Sequence, residues 1–176
     1  MRIIAGSRKG HTIVAPRGRD TRPTSDRVRE NVFNILGPVD EAIVLDLYAG
    51  SGAMGLEALS RGAARVVFVE SDADAVGAIG RNLDKLHMQA TILRRDAIAA
   101  LGSEASAGRK YDLVLVDPPY AVYPDLEPQL ARYLPPVLAE NGVLVVETDA
   151  RFEPELPLAH RTSRKYGQTR VTVYDR

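Results

Sequence analysis

Short apolar runs alternate with amphipathic segments along most of the chain. Five of the runs are bounded by glycine, proline or polar turn residues and have the length of buried strands. Segments with hydrophobic side chains at helical spacing lie between them, and serine, threonine or aspartate stands where such helices begin. The pattern predicts strands at residues 44–47, 65–69, 90–93, 111–116 and 142–147, and helices at residues 25–36, 56–60, 72–86, 97–101 and 126–138.

Particular residues set the predicted helix boundaries. Thr24 or Ser25 is predicted to cap the first helix, and Ser71 or Asp72 the third. The small residues at 103–110 are predicted to form a connection rather than a helix. A proline pair near the end of the last helix is predicted to kink or break it.

Strands that alternate with helices in this way form a mostly parallel sheet through right-handed crossovers, with helices on both faces. Residues 162–165 and 169–174 flank Gly167 and are predicted to add a closing antiparallel hairpin, which makes seven strands. We therefore predict an α/β fold of the Rossmann-like kind. Its ligand cleft is expected at the carboxyl ends of the parallel strands.

The length of 176 residues suits one domain with an appendage. We predict a basic N-terminal arm with a small β-hairpin at residues 1–23 and one α/β domain at residues 24–176. No apolar run approaches the length of about 20 residues that spans a membrane, and the first residues lack a signal-peptide core. The sequence has no cysteine, and its three histidines are far apart. We expect a cytoplasmic monomer with no membrane contact and no metal.

The formal net charge of zero conceals an uneven distribution. Residues 1–29 carry eight lysines or arginines and two aspartates, a net charge of +6 that leaves −6 for the rest of the chain. Residues 156–174 add four basic side chains and no acid. Such clustering is typical of surfaces that bind a phosphate backbone. A solvated face without a ligand is the alternative, and the charge pattern leaves both open.

A glycine-rich turn follows the first predicted strand. Small residues at Ala49, Gly50 and Gly52 allow a ligand to approach the backbone, and the amides of the following helix offer hydrogen-bond donors. This arrangement is typical of nucleotide-type sites. Residues 50–55 also satisfy the GxGxxG pattern of dinucleotide sites, so the turn by itself leaves the cofactor open.

Four acids stand at or near the ends of successive strands: Asp46, Glu70, Asp96 and Asp117. Each of them, taken singly, is also typical of a helix cap or a turn. Asp46 would repel a pyrophosphate on the glycine turn, whereas S-adenosylmethionine is cationic and carries no phosphate. We predict that Asp46 lies near its ammonium group, that Glu70 accepts the ribose hydroxyls, and that Asp96 accepts the adenine amino group. The candidate cofactor-binding residues are Asp46, Tyr48, Ala49, Gly50, Ser51, Gly52, Glu70, Ser71, Asp96 and Ala97.

The motif Asp117-Pro118-Pro119-Tyr120 is predicted to act on the second reactant. The lone pair of an exocyclic amine is delocalised into the base, which makes the nitrogen a poor nucleophile. If Asp117 and the Pro118 carbonyl each accept one N–H, the nitrogen can direct its lone pair at a methyl donor. Tyr120 offers a ring on which an extruded base can stack. A proline turn that ends a buried strand is the structural alternative.

Together these motifs resemble those of class I S-adenosylmethionine-dependent methyltransferases that methylate amino groups. Segments near both termini resemble the RsmD family more closely, and the match covers nearly the whole chain. These segments are residues 2–6, 9–10, 22–36 and 165–169.

The resemblance implies a class I methyltransferase domain at residues 24–176. It also implies transfer of a methyl group to N2 of guanine 966 in 16S ribosomal RNA, on an assembly particle of the small subunit. In that family the N-terminal segment helps to hold the RNA. The implied RNA-binding residues are Arg2, Arg8, Lys9, Arg17, Arg19, Arg22, Arg27, Arg29, Arg164 and Lys165.

Three other functions remain open from the sequence. A DNA adenine-N6 methyltransferase would use the same tetrapeptide. An RNA-binding assembly factor without catalytic activity would have a vestigial cofactor pocket, against which the intact acids and tetrapeptide argue. A nicotinamide dehydrogenase is disfavoured, because it has no use for Asp46 or for Asp117–Tyr120.

Overall fold

The computed structural model describes residues 1–16 and 25–176. In these two ranges, seven strands form a single sheet in the order β3-β2-β1-β4-β5-β7-β6. The first five strands are parallel, and β7 pairs antiparallel with β5 and with β6. The mostly parallel, Rossmann-like sheet and its closing hairpin are thereby confirmed. The strands are β1 Ile43–Leu47, β2 Arg65–Glu70, β3 Thr91–Arg94, β4 Tyr111–Val116, β5 Leu138–Asp149, β6 Ala159–Tyr166 and β7 Thr169–Asp175.

Within the described residues, five α-helices lie on the two faces of this sheet. Ser25 caps the first and Asp72 the third, since each side chain accepts the backbone N–H three residues later. Of each predicted pair of capping residues, the structure therefore selects the second. The helices are α1 Asp26–Leu36, α2 Ala53–Ser60, α3 Ala73–Leu86, α4 Ala97–Ser106 and α5 Tyr123–Val137.

Several predicted boundaries are wrong, among them the start of β5, which lies four residues before its predicted position. The connection predicted at 103–110 begins too early, because α4 continues to Ser106. Ser103 and Ser106 donate their hydroxyls to carbonyls four residues earlier, at 3.0 and 2.8 Å, so they are satisfied within the helix. Helix α5 begins three residues earlier than predicted, and β5 follows it directly at Leu138.

The sheet separates two hydrophobic cores. Helices α1, α2 and α3 pack over one face, around Phe33, Leu56 and Phe68. Helices α4 and α5 pack over the other, around Leu101 and Leu130. Side chains alternate along β1, so that its leucines enter the second core while its aspartate faces the side of α2.

The N-terminal arm packs on the first of these helical faces. Its ends meet at a single antiparallel bridge between Arg2 and Thr12, with a short 3-10 helix at Gly6–Arg8 between them. This is a minimal form of the predicted hairpin. The backbone at Gly6 approaches α2 so closely that an added Cβ would lie 1.7 Å from the carbonyl oxygen of Ser60. Glycine is therefore required there.

In the part of the chain that the structure describes, no helix has the length and apolar character needed to cross a bilayer.

Candidate active site

The glycine-rich turn between β1 and α2 has an unusual backbone conformation. Tyr48, Gly50 and Gly52 have φ values of 60°, 55° and 80°. The left-handed region is ordinary for the glycines and costly for tyrosine, so the surrounding structure must hold this turn in place. A Cβ built on Gly50 would meet nothing within 4 Å, whereas one on Gly52 would meet Ile79 at 3.2 Å. The turn therefore packs on one side and is open on the side of Gly50.

Asp46 lies beneath this turn and is 2% exposed. Its Oδ2 accepts the backbone N–H of Gly55 at 2.9 Å, within the first turn of α2. Burial raises the pKa of this carboxyl to about 7. The hydrogen bond from Gly55 lowers the pKa by less than burial raises it, and the nearby charge of Glu70 raises it further. The predicted contact of Asp46 with a cofactor ammonium stays a prediction. A buried acid with a raised pKa is nonetheless a group that a cation would stabilise in its ionised form.

The raised pKa of Asp46 predicts a pH dependence of folding stability. The folded protein holds this proton more tightly than the unfolded chain, whose pKa is the ordinary 3.8. The stability that Asp46 contributes is therefore present below about pH 4 and is lost as the pH rises through about 7. We expect Asp46→Asn, which can still accept from Gly55, to gain stability over the wild type as the pH rises through this range.

Urea unfolding of both proteins at a series of pH values measures this difference. Asp74→Asn, on the exposed side of α3, is the matched control and is expected to lack it. Parallel pH profiles for the wild type and Asp46→Asn would contradict the assignment.

Glu70 closes the same turn from the end of β2. One carboxylate oxygen accepts the N–H of Gly50 at 2.9 Å, and the other accepts those of Ser71 and Asp72 at 2.8 and 2.9 Å. Three backbone amides therefore fix the orientation of this carboxylate at the carboxyl edge of the sheet. Its predicted contact with ribose hydroxyls would use the remaining acceptor positions of the same two oxygens.

Asp96 follows β3 and caps α4, where it accepts the N–H of Ala99 at 2.8 Å. Burial of Tyr48, together with the charge of Asp96, raises the pKa of this tyrosine to about 12. The predicted cofactor residues after β1, β2 and β3 thus lie along one edge of the sheet. Ala97, the first residue of α4, is buried beside them.

The tetrapeptide Asp117–Tyr120 begins directly after β4, the other neighbour of β1. The backbone N–H of Asp117 lies 3.4 Å from the carbonyl oxygen of Leu47, the last residue before the glycine turn. Pro118 is buried, and Pro119 precedes a short 3-10 helix at Tyr120–Val122. Two motifs separated by about seventy residues in sequence are thereby adjacent in the fold.

The hydroxyl of Tyr120 is held by two residues that the sequence analysis missed. It lies 2.8 Å from Glu147 Oε1 and 2.7 Å from Thr169 Oγ1. Burial, followed by the charge of Glu147, raises the pKa of Tyr120 above its ordinary range, so the phenol is protonated and donates. Glu147 is a fifth acid near the end of a parallel strand. The pattern of acids at strand ends could therefore have identified it from the sequence. Thr169 lies in one of the segments that resemble the RsmD family.

These contacts predict that Glu147 positions the ring of Tyr120. We expect Tyr120→Phe and Glu147→Gln each to lower kcat/KM for the nucleic acid by about tenfold, the scale of one hydrogen bond to a charged group. Because Tyr120→Phe removes this contact and Glu147→Gln removes only its charge, the double variant is expected to lose no more than Tyr120→Phe alone. Thr169→Ser, which keeps the hydroxyl, is the conservative control. Losses that multiply in the double variant would show that the two residues act independently.

The predicted RNA contacts have different outcomes. Arg17, Arg19 and Arg22 lie outside the described residues. The exposed members of the set are Arg2, Lys9, Arg27, Arg164 and Lys165. Arg8 is half-buried, and its Nε donates to the carbonyl oxygen of Leu86 at 2.6 Å.

The prediction for Arg29 is wrong. This side chain is 0% exposed and bonds Asp26 Oδ1 at 2.9 Å, with Glu57 at 3.6 Å. A guanidinium in this position cannot reach a phosphate, because the arm and α2 cover it. Arg170 of the basic tail is buried as well, where it contacts Ser163 and Glu153.

Arg164 and Lys165 lie near the end of β6, at the same edge of the sheet as the tetrapeptide, where the parallel strands have their carboxyl ends. Lys165 pairs with Arg170 across the closing hairpin, one position from Thr169, whose hydroxyl contacts Tyr120. The exposed basic groups of β6 therefore lie on the same edge as the candidate site.

Comparisons with known proteins agree with this arrangement. A model of the family described as conserved hypothetical protein 95 matches residues 1–175. Two curated relatives are both named Ribosomal RNA small subunit methyltransferase D. The Escherichia coli protein is 42% identical over 122 residues, which cover 68% of this chain and 60% of that protein. The Haemophilus influenzae protein is 36% identical over 99% of this chain and 91% of that protein.

Solved structures share the whole fold. One from Escherichia coli, described as a candidate methyltransferase named yhhF, has a TM-score of 0.86 and 33% identity, and covers 100% of this chain and 97% of that one. A Thermus thermophilus 16S rRNA N2 G1207 methyltransferase, described in complex with AdoMet and guanosine, has a TM-score of 0.70 and 24% identity over 89% of this chain and 45% of that one. At that identity the similarity supports the fold alone. The chain therefore belongs to the family described as conserved hypothetical protein 95, the RsmD family of methyltransferases that its motifs predict.

Proposed function

We propose that this enzyme transfers a methyl group from S-adenosylmethionine to N2 of guanine 966 in 16S ribosomal RNA, on an assembly particle of the small subunit. The observation that carries the proposal is the 3.4 Å contact between the Asp117 N–H and the Leu47 carbonyl. It brings the groups suited to an amine beside the turn suited to a methyl donor. A crevice between neighbouring parallel strands is where α/β proteins bind their ligands.

The residues around the turn fit the cofactor. S-adenosylmethionine supplies an electrophilic methyl group on a sulfonium. The open side of Gly50 admits a ligand against the backbone, and Asp46, Glu70 and Asp96 offer acceptors to an ammonium, to hydroxyls and to an amino group. The Asp46 carboxylate beneath the turn would repel a pyrophosphate, which favours a cofactor without phosphates.

The tetrapeptide prepares the nucleophile. The Asp117 carboxylate accepts one N–H of the guanine amine, and the Pro118 carbonyl accepts the other. The nitrogen lone pair is then less delocalised and is directed at the methyl carbon. The nitrogen–carbon bond would form as the carbon–sulfur bond breaks, which leaves a neutral thioether, and the surplus amine proton would pass to the Asp117 carboxylate. Tyr120, held by Glu147 and Thr169, supports the plane of the base. The two prolines contribute no N–H that would compete for the amine.

The substrate class rests on the family and on charge. The two relatives reported above are named for small-subunit ribosomal RNA. Exposed basic groups on the arm and on β6 supply contacts to a phosphate backbone. Guanine presents donors at N1 and N2, which suits an acceptor-only carboxylate at Asp117.

Methyl transfer to defined substrates tests the proposal. Labelled S-adenosylmethionine is incubated with small-subunit assembly particles, mature small subunits and naked 16S RNA from cells that lack the gene, and with unmethylated DNA. We expect the highest kcat/KM on assembly particles. Equal or better labelling of DNA would support adenine-N6 methylation instead. Cofactor binding without transfer to any of the four would support a non-catalytic assembly factor.

A further inference from the structure

The side chain of Asn82 joins the N-terminal arm to the cofactor turn. It is 0% exposed and projects from α3 between the two segments. Its Oδ1 accepts the N–H of Val14 at 2.8 Å, and its Nδ2 donates to the carbonyl of Val14 at 3.0 Å. The same Nδ2 donates to the carbonyl of Ser51 at 3.0 Å. One amide group thus bonds residues that are 68 and 31 positions away in sequence.

These three hydrogen bonds use both amide donors and one acceptor of Asn82. Because the amide is planar, the two bonds to Val14 fix the direction of the N–H that bonds Ser51. Aspartate has the same shape but no donor, and it would place a carboxylate oxygen against two carbonyls. A buried residue that meets all of its partners in this way fixes their relative positions.

The two residues that Asn82 bonds lie in the segments proposed to bind the cofactor and the RNA. Ser51 lies between Gly50 and Gly52, both with positive φ, in the strained turn that the cofactor approaches. Val14 lies near the end of the described arm, three residues before Arg17, where the basic residues of the arm continue. The arm is also tied to α3 by Lys85, whose Nζ contacts Thr12 Oγ1 at 2.6 Å, and by Arg8.

We propose that Asn82 is a positioning residue that couples the arm to the cofactor turn. Ordering of the arm fixes the amide of Asn82, the amide fixes the Ser51 carbonyl, and the turn is then held in the conformation that binds S-adenosylmethionine. By reciprocity, cofactor binding orders the arm. The identity of the two ligands, RNA on the arm and S-adenosylmethionine on the turn, rests on the proposed function. Each ligand is then expected to raise the affinity of the enzyme for the other.

Calorimetry and amide exchange on the full-length protein test this coupling without RNA. In the wild type, saturating S-adenosylmethionine is expected to slow exchange of the Ile13 N–H, an arm amide that donates to the Met1 carbonyl and not to Asn82, by about fivefold or more, the lower range of ordinary coupling. In Asn82→Ala this slowing is expected to disappear, and the Kd for S-adenosylmethionine to rise by about fivefold or more. Asn31→Ala, which removes an amide that donates to the Arg27 carbonyl within α1, is the matched control.

A variant on the arm separates coupling from a local defect in α3. Val14→Pro removes the arm's N–H donor and leaves Asn82 and Ser51 unchanged. It is expected to weaken S-adenosylmethionine binding although Val14 lies outside the turn. If Asn82→Ala fails to fold, Val14→Pro still decides the question. An unchanged Kd in Val14→Pro, or an unchanged slowing of Ile13 exchange in a folded Asn82→Ala, would overturn the proposal.

The same measurements distinguish failure of the coupling from failure of the proposed function. If the coupling is wrong, methyl transfer to ribosomal RNA persists while the Ile13 exchange does not respond to the cofactor. If the proposed function is wrong, the exchange responds and no methyl group reaches the RNA.

Discussion

Replacement of Asp117 with alanine is expected to lower kcat for methyl transfer by at least about a hundredfold, the scale for losing one preorganised group that acts on the reacting atoms. The carboxylate is the only charged acceptor in the tetrapeptide, and the backbone at Asp117 is fixed against Leu47. Its loss leaves the amine lone pair delocalised into the base. Single-turnover rates with the labelled cofactor measure the effect on the chemical step.

Binding of the cofactor should survive this change. The side chains predicted to hold S-adenosylmethionine come from the turn after β1 and from the ends of β2 and β3, whereas Asp117 follows β4. We expect the Kd for S-adenosylmethionine in Asp117→Ala to stay within about twofold of the wild type, since the substitution keeps the backbone hydrogen bond to Leu47. Asp125→Ala, an exposed acid in the first turn of α5, is the matched control. Normal turnover by Asp117→Ala would eliminate this mechanism.

Replacement of Glu57 with alanine is expected to have the largest effect on folding. This carboxylate is 0% exposed and accepts the N–H groups of Ile4 and Ala5 at 2.8 and 3.0 Å and the Nε of Arg61 at 2.7 Å. It is also the buried acid beside Arg29. Removal would leave a buried guanidinium and two arm amides without this acceptor. The expected cost is about 3–5 kcal/mol of unfolding free energy.

Chemical denaturation measures the loss, and amide exchange locates it. We expect the Ile4 and Ala5 amides to exchange faster in Glu57→Ala than the core of the sheet does, because the arm separates from α2 first. Glu30→Ala removes an exposed carboxylate on α1 and should change the stability by less than about 0.5 kcal/mol. A loss of that small size in Glu57→Ala would show that the arm is held by its apolar contacts instead.

Much of the fold could be predicted because strand and helix periodicity are local signals. The acids at the strand ends, the glycine turn and the tetrapeptide were all visible as sequence patterns, and the parallel topology brings them to one edge. The limit is illustrated by Arg29. Its position in α1 gave no sign that Glu57, in another helix, would bury it.

The residues that support the site were missed for the same reason. Asn82 lies within a helix whose sequence is otherwise ordinary, and its partners are distant in the chain. Thr169 acts through its contact with Tyr120, which only the pairing of β7 with β5 makes possible. Residues whose function depends on such long-range packing have no periodic pattern of their own.

Identification of the methylated atom tests the central claim most directly. Small-subunit particles from cells that lack the gene are treated with the enzyme and S-adenosylmethionine, and the RNA is digested to nucleosides and mapped by mass spectrometry. We predict N2-methylguanosine at one position of 16S ribosomal RNA, with none after treatment with Asp117→Ala. Methylation at N6 of adenine, or at guanine positions that Asp117→Ala still methylates, would contradict the assignment of the tetrapeptide to the guanine amine.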